Sequence, residues 1–278
     1  MSGNSSVLEG AAAFTERLDQ LPPMPQAVAR LLRMLDAPET TPADLQKVIE
    51  TDPALVASLL RLVNSAMFNW PQQITTISHA IMLIGFLRLR SLALATVAAG
   101  LKNAIPALAA EARDILWDHA VATALGARLT CERFRMTWGE EAFVAGLLHD
   151  CGRLAMLALE PVAYAPMISN EVLPDCVRER DTFGTDHQEV GAALLAQWRL
   201  PKRLVLAAGR HHDPEALGQD HGSLLAMVVL GDSLVDQRSE GDPWRAAEAL
   251  GLDREALEAA LPAIREEVRR VRAELMRL

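Results

Sequence analysis

The sequence predicts an all-α protein. Phe, Trp and Tyr together make up only 4 % of the 278 residues, whereas Leu, Ala, Arg and Glu are abundant, and these residues favour helices over strands. Apolar side chains also recur three and four positions apart along most of the chain, which is the spacing of one helix face. Because half of the residues are hydrophobic, the chain can bury a large core. Its length favours two helical subdomains, an N-terminal bundle packed on a second helical domain.

The first part of the chain predicts a tail followed by three helices. Residues 1–15 are expected to be a flexible tail, because they lack the basic and apolar regions of a secretion signal. After LPPMP, a helix is predicted from the apolar residues that share one face: Val28, Leu31, Leu32 and Leu35. Two further helices begin alike, with Thr41 before Pro42 and Asp52 before Pro53. Each pair is an N-cap residue followed by proline at the first helical position.

The most hydrophobic segment is ISHAIMLIGFLRLRSLALATVAAGL, which is predicted to be helical with a break at Gly85. Arg88 and Arg90 interrupt it, so that no run reaches the ~18 apolar residues of a membrane span. We therefore expect a core segment and no contact with a membrane. Residues 16–108 are assigned to the N-terminal helical subdomain.

Residues 109–278 are assigned to the second subdomain, in which helical patterning continues to a C-terminal helix. Five segments carry the pattern: ILWDHAVATALGARLTCERF, EEAFVAGLLHDCGRLAMLAL, DHQEVGAALLAQW, LPKRLVLAAGRHH and LLAMVVLGDSLVD. The C-terminal helix has a narrow apolar seam: Leu261, Ile264, Val268, Val271, Leu275 and Leu278. This seam indicates either a terminal helix docked on its own domain or a homodimer formed through the C-terminal helix, and the sequence leaves both open.

The charge of the chain argues against nucleic acid as a partner. It carries 36 acidic and 27 basic side chains, a formal net charge of −9, which repels polyanions. The segment around Gly85 superficially resembles a helix-turn-helix. Beyond Ser91 and Thr96, however, its second helix offers almost no polar group that could read base edges.

The cysteines indicate the compartment. Cys131, Cys151 and Cys176 are an odd number without Cys-x-x-Cys spacing, which is typical of free thiols in a reducing environment. We therefore expect a cytoplasmic protein.

A histidine and an aspartate are adjacent inside an apolar stretch, GLLHDCGRL. Burying His149 and Asp150 costs several kcal/mol unless they are hydrogen-bonded, paired or bound to a metal. Asp232 ends a second apolar run, AMVVLGD, and His119 lies on the preceding helix. Because facing helices of a bundle can bring such side chains together, these four residues are predicted ligands of one divalent metal ion. The alternative is a hydrogen-bonded group that holds helices together without metal.

Three more histidines, His187, His211 and His212, are predicted to bind a second metal ion or a phosphate oxygen. Nearby cations could assist them: Arg199, Lys202, Arg203 and Arg210. Imidazole and carboxylate ligands suit Fe, Mn, Zn or Ni, so one or two such ions are expected as cofactors. His79 and His221 are expected to have no part in the site.

These residues carry a family resemblance. The order His119, His149-Asp150 and Asp232 is similar to the H…HD…D pattern of the HD superfamily of metal-dependent phosphohydrolases. More closely, motifs spread over residues 16–213 resemble the HDOD family, the HD-related output domains of bacterial signalling proteins: LPPMPQAVARLL, TDPALVASLLRLVNSAMFN, ISHAIMLIGFLRLRSL, GLLHDCGRL, DHQEVGAALLAQWRLP and RHHDP. The resemblance implies an N-terminal helical bundle joined to an HD-like helical domain. It also matches the histidines at 187, 211 and 212 to extra ligands of the related HD-GYP phosphodiesterases.

Two departures from these relatives limit what the resemblance implies. No G-Y-P motif follows RHHDP, which argues against hydrolysis of cyclic-di-GMP in the HD-GYP manner. Arg153 stands where phosphohydrolase relatives commonly have Lys, which leaves the catalytic role of that cation open.

Two functions follow from the resemblance. The first is a signal-transduction output or regulatory module that acts through protein contacts. Its partner would be a signalling protein or a fused or cognate sensor domain, and a metal or a nucleotide would bias its state. The second is a metal-dependent phosphohydrolase acting on a nucleotide or another phosphoester. Its metal ligands would be His119, His149, Asp150 and Asp232.

Overall fold

The computed structural model describes residues 14, 16–65, 67–68, 70–218, 222–235 and 242–275. Throughout this part of the chain the regular structure is helical, which confirms the predicted all-α fold. We number the α-helices in chain order: α1 Gln26–Leu35, α2 Pro42–Ile49, α3 Pro53–Val63, α4 Ile77–Asn103, α5 Ala110–Arg133, α6 Gly139–Leu148, α7 Cys151–Leu159, α8 Pro161–Tyr164, α9 Cys176–Phe183, α10 His187–Gln197, α11 Lys202–Arg210, α12 Gly222–Val235, α13 Pro243–Ala249 and α14 Arg254–Leu275. Short 3-10 turns occur at Leu18–Gln20, Ala107–Ala109, Ala165–Met167 and Pro214–Gly218. Apart from Phe14, the predicted tail lies outside the described residues.

Side-chain caps begin helices where the sequence predicted them. Thr41 accepts a hydrogen bond from the backbone N–H of Asp44, whose side chain accepts one from the N–H of Thr41 at the start of α2. Asp52 accepts from two N–H groups of the first turn of α3. Asp186 caps α10 in the same way, and this cap fixes the start of the helix at His187.

The chain divides into two compact units, each built from two separate stretches of sequence: Met1–Pro23 with Leu101–Val268, and Met24–Gly100 with Arg269–Leu278. The predicted subdomains, residues 16–108 and 109–278, are continuous in sequence. Both divisions place a boundary between residues 100 and 109. They differ at the ends of the chain, because residues 16–23 and 269–278 each fall in the other part.

Residues before Pro23 join the larger unit through contacts between positions that are far apart in sequence. Arg17 forms an ion pair with Glu160 at 2.5 Å, a separation of 143 positions. The ring of Phe14 meets that of Phe183 edge to face, with centroids 5.9 Å apart. Periodicity reports only local structure, so it could not predict these contacts.

The long helix α4 contains the predicted break. Gly85 has φ 70° and ψ 176°, a backbone conformation that residues with a Cβ rarely adopt. Helical geometry resumes directly after this residue and continues to Asn103. Gly85 therefore allows two helical segments to meet at a kink without an intervening loop.

Helices α7 and α10 approach each other closely at Gly152. A Cβ built on Gly152 would lie 1.9 Å from the backbone carbonyl oxygen of His187, so any larger residue would force the two helices apart. The approach holds the first residue of α10 against the helix that follows Asp150. Two distant parts of the sequence are thereby brought together inside the larger unit.

Two apolar stretches are long enough to cross a membrane by length and composition alone, Ile77–Asn103 and Gly139–Leu159. Inside the protein, 56 % of the apolar window of the first and 89 % of that of the second are buried. Core helices of soluble proteins pass the same test, and this burial agrees with the prediction of a core segment around Gly85.

The C-terminal helix α14 buries part of its predicted apolar seam within one chain. Ile264, Val268 and Val271 are at most 5 % exposed, and Leu261 is half-buried. Leu278 lies outside the described residues. A homodimer formed through this helix remains a prediction.

Replacing Gly85 with alanine is expected to destabilise the protein by about 1–3 kcal/mol, the cost of holding a residue with a Cβ in this backbone conformation. No atom lies within 4 Å of the added methyl group, so the effect would come from the backbone alone. Urea denaturation followed by circular dichroism measures it.

The matched control is Gly100→Ala, which also meets open space but sits in regular helix. Here the free energy of unfolding should be unchanged or rise by up to about 1 kcal/mol. Equal effects of the two substitutions would contradict the role assigned to Gly85.

Candidate metal centre

The seven side chains that the sequence singled out lie together in the larger unit. They come from several helices and their ends: His119 in α5, His149 and Asp150 at the junction of α6 and α7, His187 at the start of α10, His211 and His212 directly after α11, and Asp232 in α12. All of them except His212 are at most 5 % exposed. The fold therefore gathers every predicted ligand residue into one largely buried cluster.

Four of these residues form a first group around His119. Its Nε2 lies 3.3 Å from Nε2 of His149, 3.4 Å from Oδ2 of Asp150 and 3.3 Å from Oδ1 of Asp232. Nε2 of His149 lies 3.6 Å from the same Oδ2. We call His119, His149, Asp150 and Asp232 the first ligand group.

Asp150 also belongs to a second group through its other oxygen. Oδ1 of Asp150 lies 3.4 Å from Nε2 of His187 and 3.3 Å from Nε2 of His211, and these two nitrogens are 3.3 Å apart. His212 offers a fourth ligand atom within 4.8 Å of the others. We call Asp150, His187, His211 and His212 the second ligand group, so that Asp150 faces both groups.

The positions of the imidazole protons favour a metal over a network of hydrogen bonds. Nδ1 of His149 lies 2.6 Å from the carbonyl oxygen of Gly146, and Nδ1 of His211 lies 3.0 Å from that of Ala208. A carbonyl oxygen can only accept, so each Nδ1 carries the proton and each Nε2 of the neutral ring presents a lone pair.

His187 follows the same pattern with a carboxylate as the acceptor. Its Nδ1–H donates to Oε2 of Glu179 at 2.6 Å, which leaves the Nε2 lone pair directed at Asp150. Oδ1 of Asp150 receives no hydrogen bond and thus faces two nitrogen lone pairs. A divalent cation among these atoms would turn mutual repulsion into coordination, whereas a purely hydrogen-bonded group would lack the protons it needs.

The spacing of the ligand atoms fits metal ions of the expected kind. Nitrogen and oxygen ligands bind a zinc-like ion at roughly 2.0–2.2 Å, so ligands of one ion lie roughly 3–3.5 Å apart in tetrahedral geometry. The distances of 3.3–3.6 Å that do not involve His212 agree with that spacing, and the ligand atom of His212 lies within 4.8 Å of the others in its group. The donor set contains imidazole and carboxylate without thiolate, which suits Fe, Mn, Zn or Ni.

A cleft of about 630 Å³ reaches the second ligand group at His212. Its polar wall includes Cys176, Arg180, Gln188, Arg210 and Asp213. Arg210 pairs with Asp213, and Arg180 pairs with the buried Asp186. Of the cations that the sequence suggested for phosphate binding, Arg210 lies at the cleft, while Arg199, Lys202 and Arg203 are not among the described residues that line it.

The comparisons with known proteins identify the family. The HDOD domain family matches residues 21–214, which include six of the seven predicted ligand residues, all but Asp232. This chain belongs to the HDOD family. An uncharacterized protein of Treponema pallidum (strain Nichols) is 27 % identical over 232 residues, which are 81 % of this chain and 44 % of the relative. The chain thus spans less than half of the curated relative that it matches.

Two solved structures resemble nearly the full length of this chain. An HDOD domain protein with unknown function from Geobacter sulfurreducens is 25 % identical, with a TM-score of 0.75 and coverage of 96 % of this chain and 98 % of that one. A proposed phosphohydrolase from Shewanella amazonensis SB2B shares the fold at 24 % identity and a TM-score of 0.67, with coverage of 95 % and 97 %.

Burial sets the protonation states of the ligands in this HDOD protein. It lowers the pKa of His149 to about 4 and that of His212 to about 2. Burial, together with the charge of Arg153, holds the pKa of His187 well below its ordinary value. Burial alone would raise the pKa of Asp150, but Arg153 and His149 hold it well below its ordinary value. At neutral pH the rings of His149, His187 and His212 are uncharged and Asp150 is ionised, the states in which imidazole and carboxylate bind metals.

Glu179 is a buried neighbour of the ligand residues that the sequence did not reveal. It is fully buried and accepts hydrogen bonds from Arg153, the hydroxyl group of Tyr164, and both the backbone and Nδ1 of His187. Burial raises its pKa to about 7, although Arg153 and Tyr164 oppose the rise. The segment CVRERDTF reads as a solvated polar helix, so no local pattern distinguishes Glu179 from an exposed glutamate.

For the two remaining histidines the sequence predicted no part in the site. His79 is exposed and lies in the smaller unit. His221 lies outside the described residues.

We expect Asp150→Asn to weaken the binding of two metal ions and His119→Ala to weaken that of one. Asp150 presents one oxygen to each ligand group, whereas His119 belongs to the first alone. Metal content after dialysis against a defined free concentration, measured by inductively coupled plasma mass spectrometry, distinguishes the two outcomes.

The control for this experiment is His79→Ala, which removes an exposed histidine and should leave the metal content unchanged. Equal metal content in Asp150→Asn and wild-type protein would contradict the bridging geometry.

The metal-free protein should lose stability as the pH falls from about 6.5 towards 4. The folded state holds His149 at a pKa of about 4, compared with 6.5 for a free histidine, so the unfolded chain binds more protons in this range. His187 and His212, whose pKa values burial also lowers, add to this effect, and the three histidines together outweigh Glu179, whose pKa of about 7 acts in the opposite direction over the same range. The free energy of unfolding therefore decreases with acidification in this range. The melting temperature of chelator-treated protein between pH 7.5 and 4.5 tests this, and a flat profile would contradict it.

Proposed function

We propose that this HDOD domain is a metal-dependent phosphohydrolase that works in bacterial signal transduction in the cytoplasm. The observation that carries the proposal is the convergence of the Nε2 lone pairs of His187 and His211 on Oδ1 of Asp150, which receives no hydrogen bond. Both ligand groups fit divalent cations by donor type and spacing. The first group would hold one ion and the second another, with Asp150 common to both.

A substrate in the cleft would contact the second ligand group and not the first. The first group is almost fully buried, whereas His212 forms part of the wall of a cleft large enough for a small phosphoester. When bound, divalent cations would supply Lewis-acid charge that polarises a phosphoryl group and lowers the pKa of a water nucleophile.

The residues that line the cleft fix the position of His212 and offset one another's charges. Oε1 of Gln188 accepts a hydrogen bond from the backbone N–H of His212 at 3.0 Å and so fixes the loop that follows α11. Arg180 and Arg210 come from opposite elements, α9 and α11, and could meet phosphate oxygens at the mouth. Their aspartate partners keep the cleft from being strongly basic. This balance favours a small substrate over a nucleic acid, in line with the net charge of −9.

A second candidate function is an output module that acts through protein contacts with a signalling protein or a sensor domain. Exposed apolar side chains on α4 favour it: Met82 is 71 % exposed and Leu87 is 65 % exposed. Such residues are typical of surfaces that bind other proteins. In this case the metal centre would hold a conformation or respond to a bound nucleotide.

Purified without a chelator or a histidine tag, the protein is expected to contain up to two equivalents of divalent metal. It should also hydrolyse bis(p-nitrophenyl) phosphate or p-nitrophenyl phosphate after loading with Mn²⁺, Fe²⁺, Zn²⁺ or Ni²⁺. His211→Ala should reduce the rate by at least about 100-fold, because it removes a ligand beside the cleft. Release of p-nitrophenolate measures turnover.

His79→Ala serves as the control and should keep wild-type activity. Loaded wild-type protein that binds two ions and turns over no phosphoester would favour the protein-contact function. A chain that binds no divalent metal would contradict both the metal centre and the hydrolase proposal.

A further inference from the structure

Four buried side chains form a closed ring that includes two members of the second ligand group: Asp150, Arg153, Glu179 and His187. Nε of Arg153 donates to Oδ2 of Asp150 at 2.9 Å, and Nη1 donates to Oε1 of Glu179 at 3.0 Å. Oε2 of Glu179 accepts from the backbone N–H and from Nδ1–H of His187, at 2.9 and 2.6 Å. Nε2 of His187 then faces Oδ1 of Asp150 at 3.4 Å. Each of the four side chains is at most 4 % exposed.

The ring orients the ligand atoms of the second group. Glu179 fixes the His187 ring in the tautomer whose Nε2 carries a lone pair, as carboxylates do for histidines that bind metals. Arg153 holds Oδ2 of Asp150, which leaves Oδ1 without a hydrogen bond and directed at His187 and His211. Arg153 has no lone pair to offer an ion, and the oxygens of Glu179 already accept four hydrogen bonds.

We propose that Glu179 and Arg153 are positioning residues that set the affinity of the second metal ion through His187 and Asp150. This inference rests on the proposed metal centre. It also gives Arg153 a role that differs from substrate binding, since the side chain is 4 % exposed and is not among the described residues that line the cleft.

Arginine is suited to this position in a way that lysine is not. The guanidinium group reaches three acceptors with two of its nitrogens: Asp150 through Nε, and Glu179 and the carbonyl oxygen of Pro174 through Nη1. Lysine has a single nitrogen at the end of a flexible chain and cannot hold both carboxylates in fixed relative positions.

The first test compares Glu179→Gln with wild-type protein titrated with Co²⁺ or Mn²⁺. Loss of the carboxylate should weaken binding of the second ion by about 10- to 100-fold and leave the first ion within about twofold, since His119 and His149 do not contact Glu179. The d–d absorption of bound Co²⁺ should change only for the second equivalent. A residue that merely supports folding would lower the melting temperature without separating the two affinities.

The second test is Arg153→Lys, which keeps the positive charge and replaces the branched guanidinium group with a single amine. Binding of the second ion should again weaken by at least about tenfold. The matched controls are Glu171→Gln and Arg178→Lys, which alter exposed residues of the same types and should bind both ions as wild-type protein does.

If Glu179→Gln does not fold, Tyr164→Phe takes its place, because it removes one donor to Glu179 and should weaken the second ion several-fold. Wild-type protein that binds no metal would overturn the proposed function and this inference with it. Wild-type protein that binds two ions, together with folded variants that bind both ions equally well, would overturn only the positioning role.

Discussion

The site depends on one buried carboxylate that faces two sets of nitrogen lone pairs. Oδ2 of Asp150 is directed at His119 and His149, and Oδ1 is directed at His187 and His211. A carboxylate has no proton to offer at neutral pH, and the neutral rings of His149, His187 and His211 direct their protons at carbonyl oxygens or at Glu179. The contacts of Oδ1 with His187 and His211 are therefore unfavourable by themselves and would become favourable with a cation.

Helix ends produce this convergence. His149 and Asp150 lie at the point where α6 stops and α7 begins, and Nε2 of His149 lies 3.6 Å from Oδ2 of Asp150. His187 follows the capping residue Asp186, and His211 follows the last turn of α11. Ligands at helix ends can donate Nδ1–H to the unpaired carbonyl oxygens of the preceding turn, as His149 and His211 do. The same local geometry that ends a helix thus fixes the ring for metal binding.

The sequence predicted the features that depend on local chemistry. Thr41 and Asp52 begin helices where expected, Gly85 breaks α4, and the buried ionisable pair in GLLHDCGRL led to the other ligand residues because isolated charges in apolar runs need partners. It did not predict Glu179, since a glutamate in a polar helix looks solvated until the fold places Tyr164, Arg153 and His187 around it. It also missed the attachment of Arg17 to Glu160, because that contact joins positions far apart in the chain. Long-range contacts between polar groups leave no periodic signal in a single sequence.

The charge balance around the ring gives a further reason for cations at this place. Around the ring, three buried carboxyl groups, those of Asp150, Asp232 and Glu179, accompany the buried guanidinium of Arg153, and Glu179 is only partly ionised at neutral pH because burial raises its pKa to about 7. The neutral histidines add no charge. A net negative interior of this kind is costly in a medium of low dielectric constant. Arg153 contacts two of the carboxylates and leaves the excess charge where the lone pairs meet, which is where divalent cations would offset it. The guanidinium and the ions would therefore have complementary roles: Arg153 pairs with Asp150 and Glu179 on the protein side, and the metals would offset the charge of Asp150 and Asp232 on the ligand side.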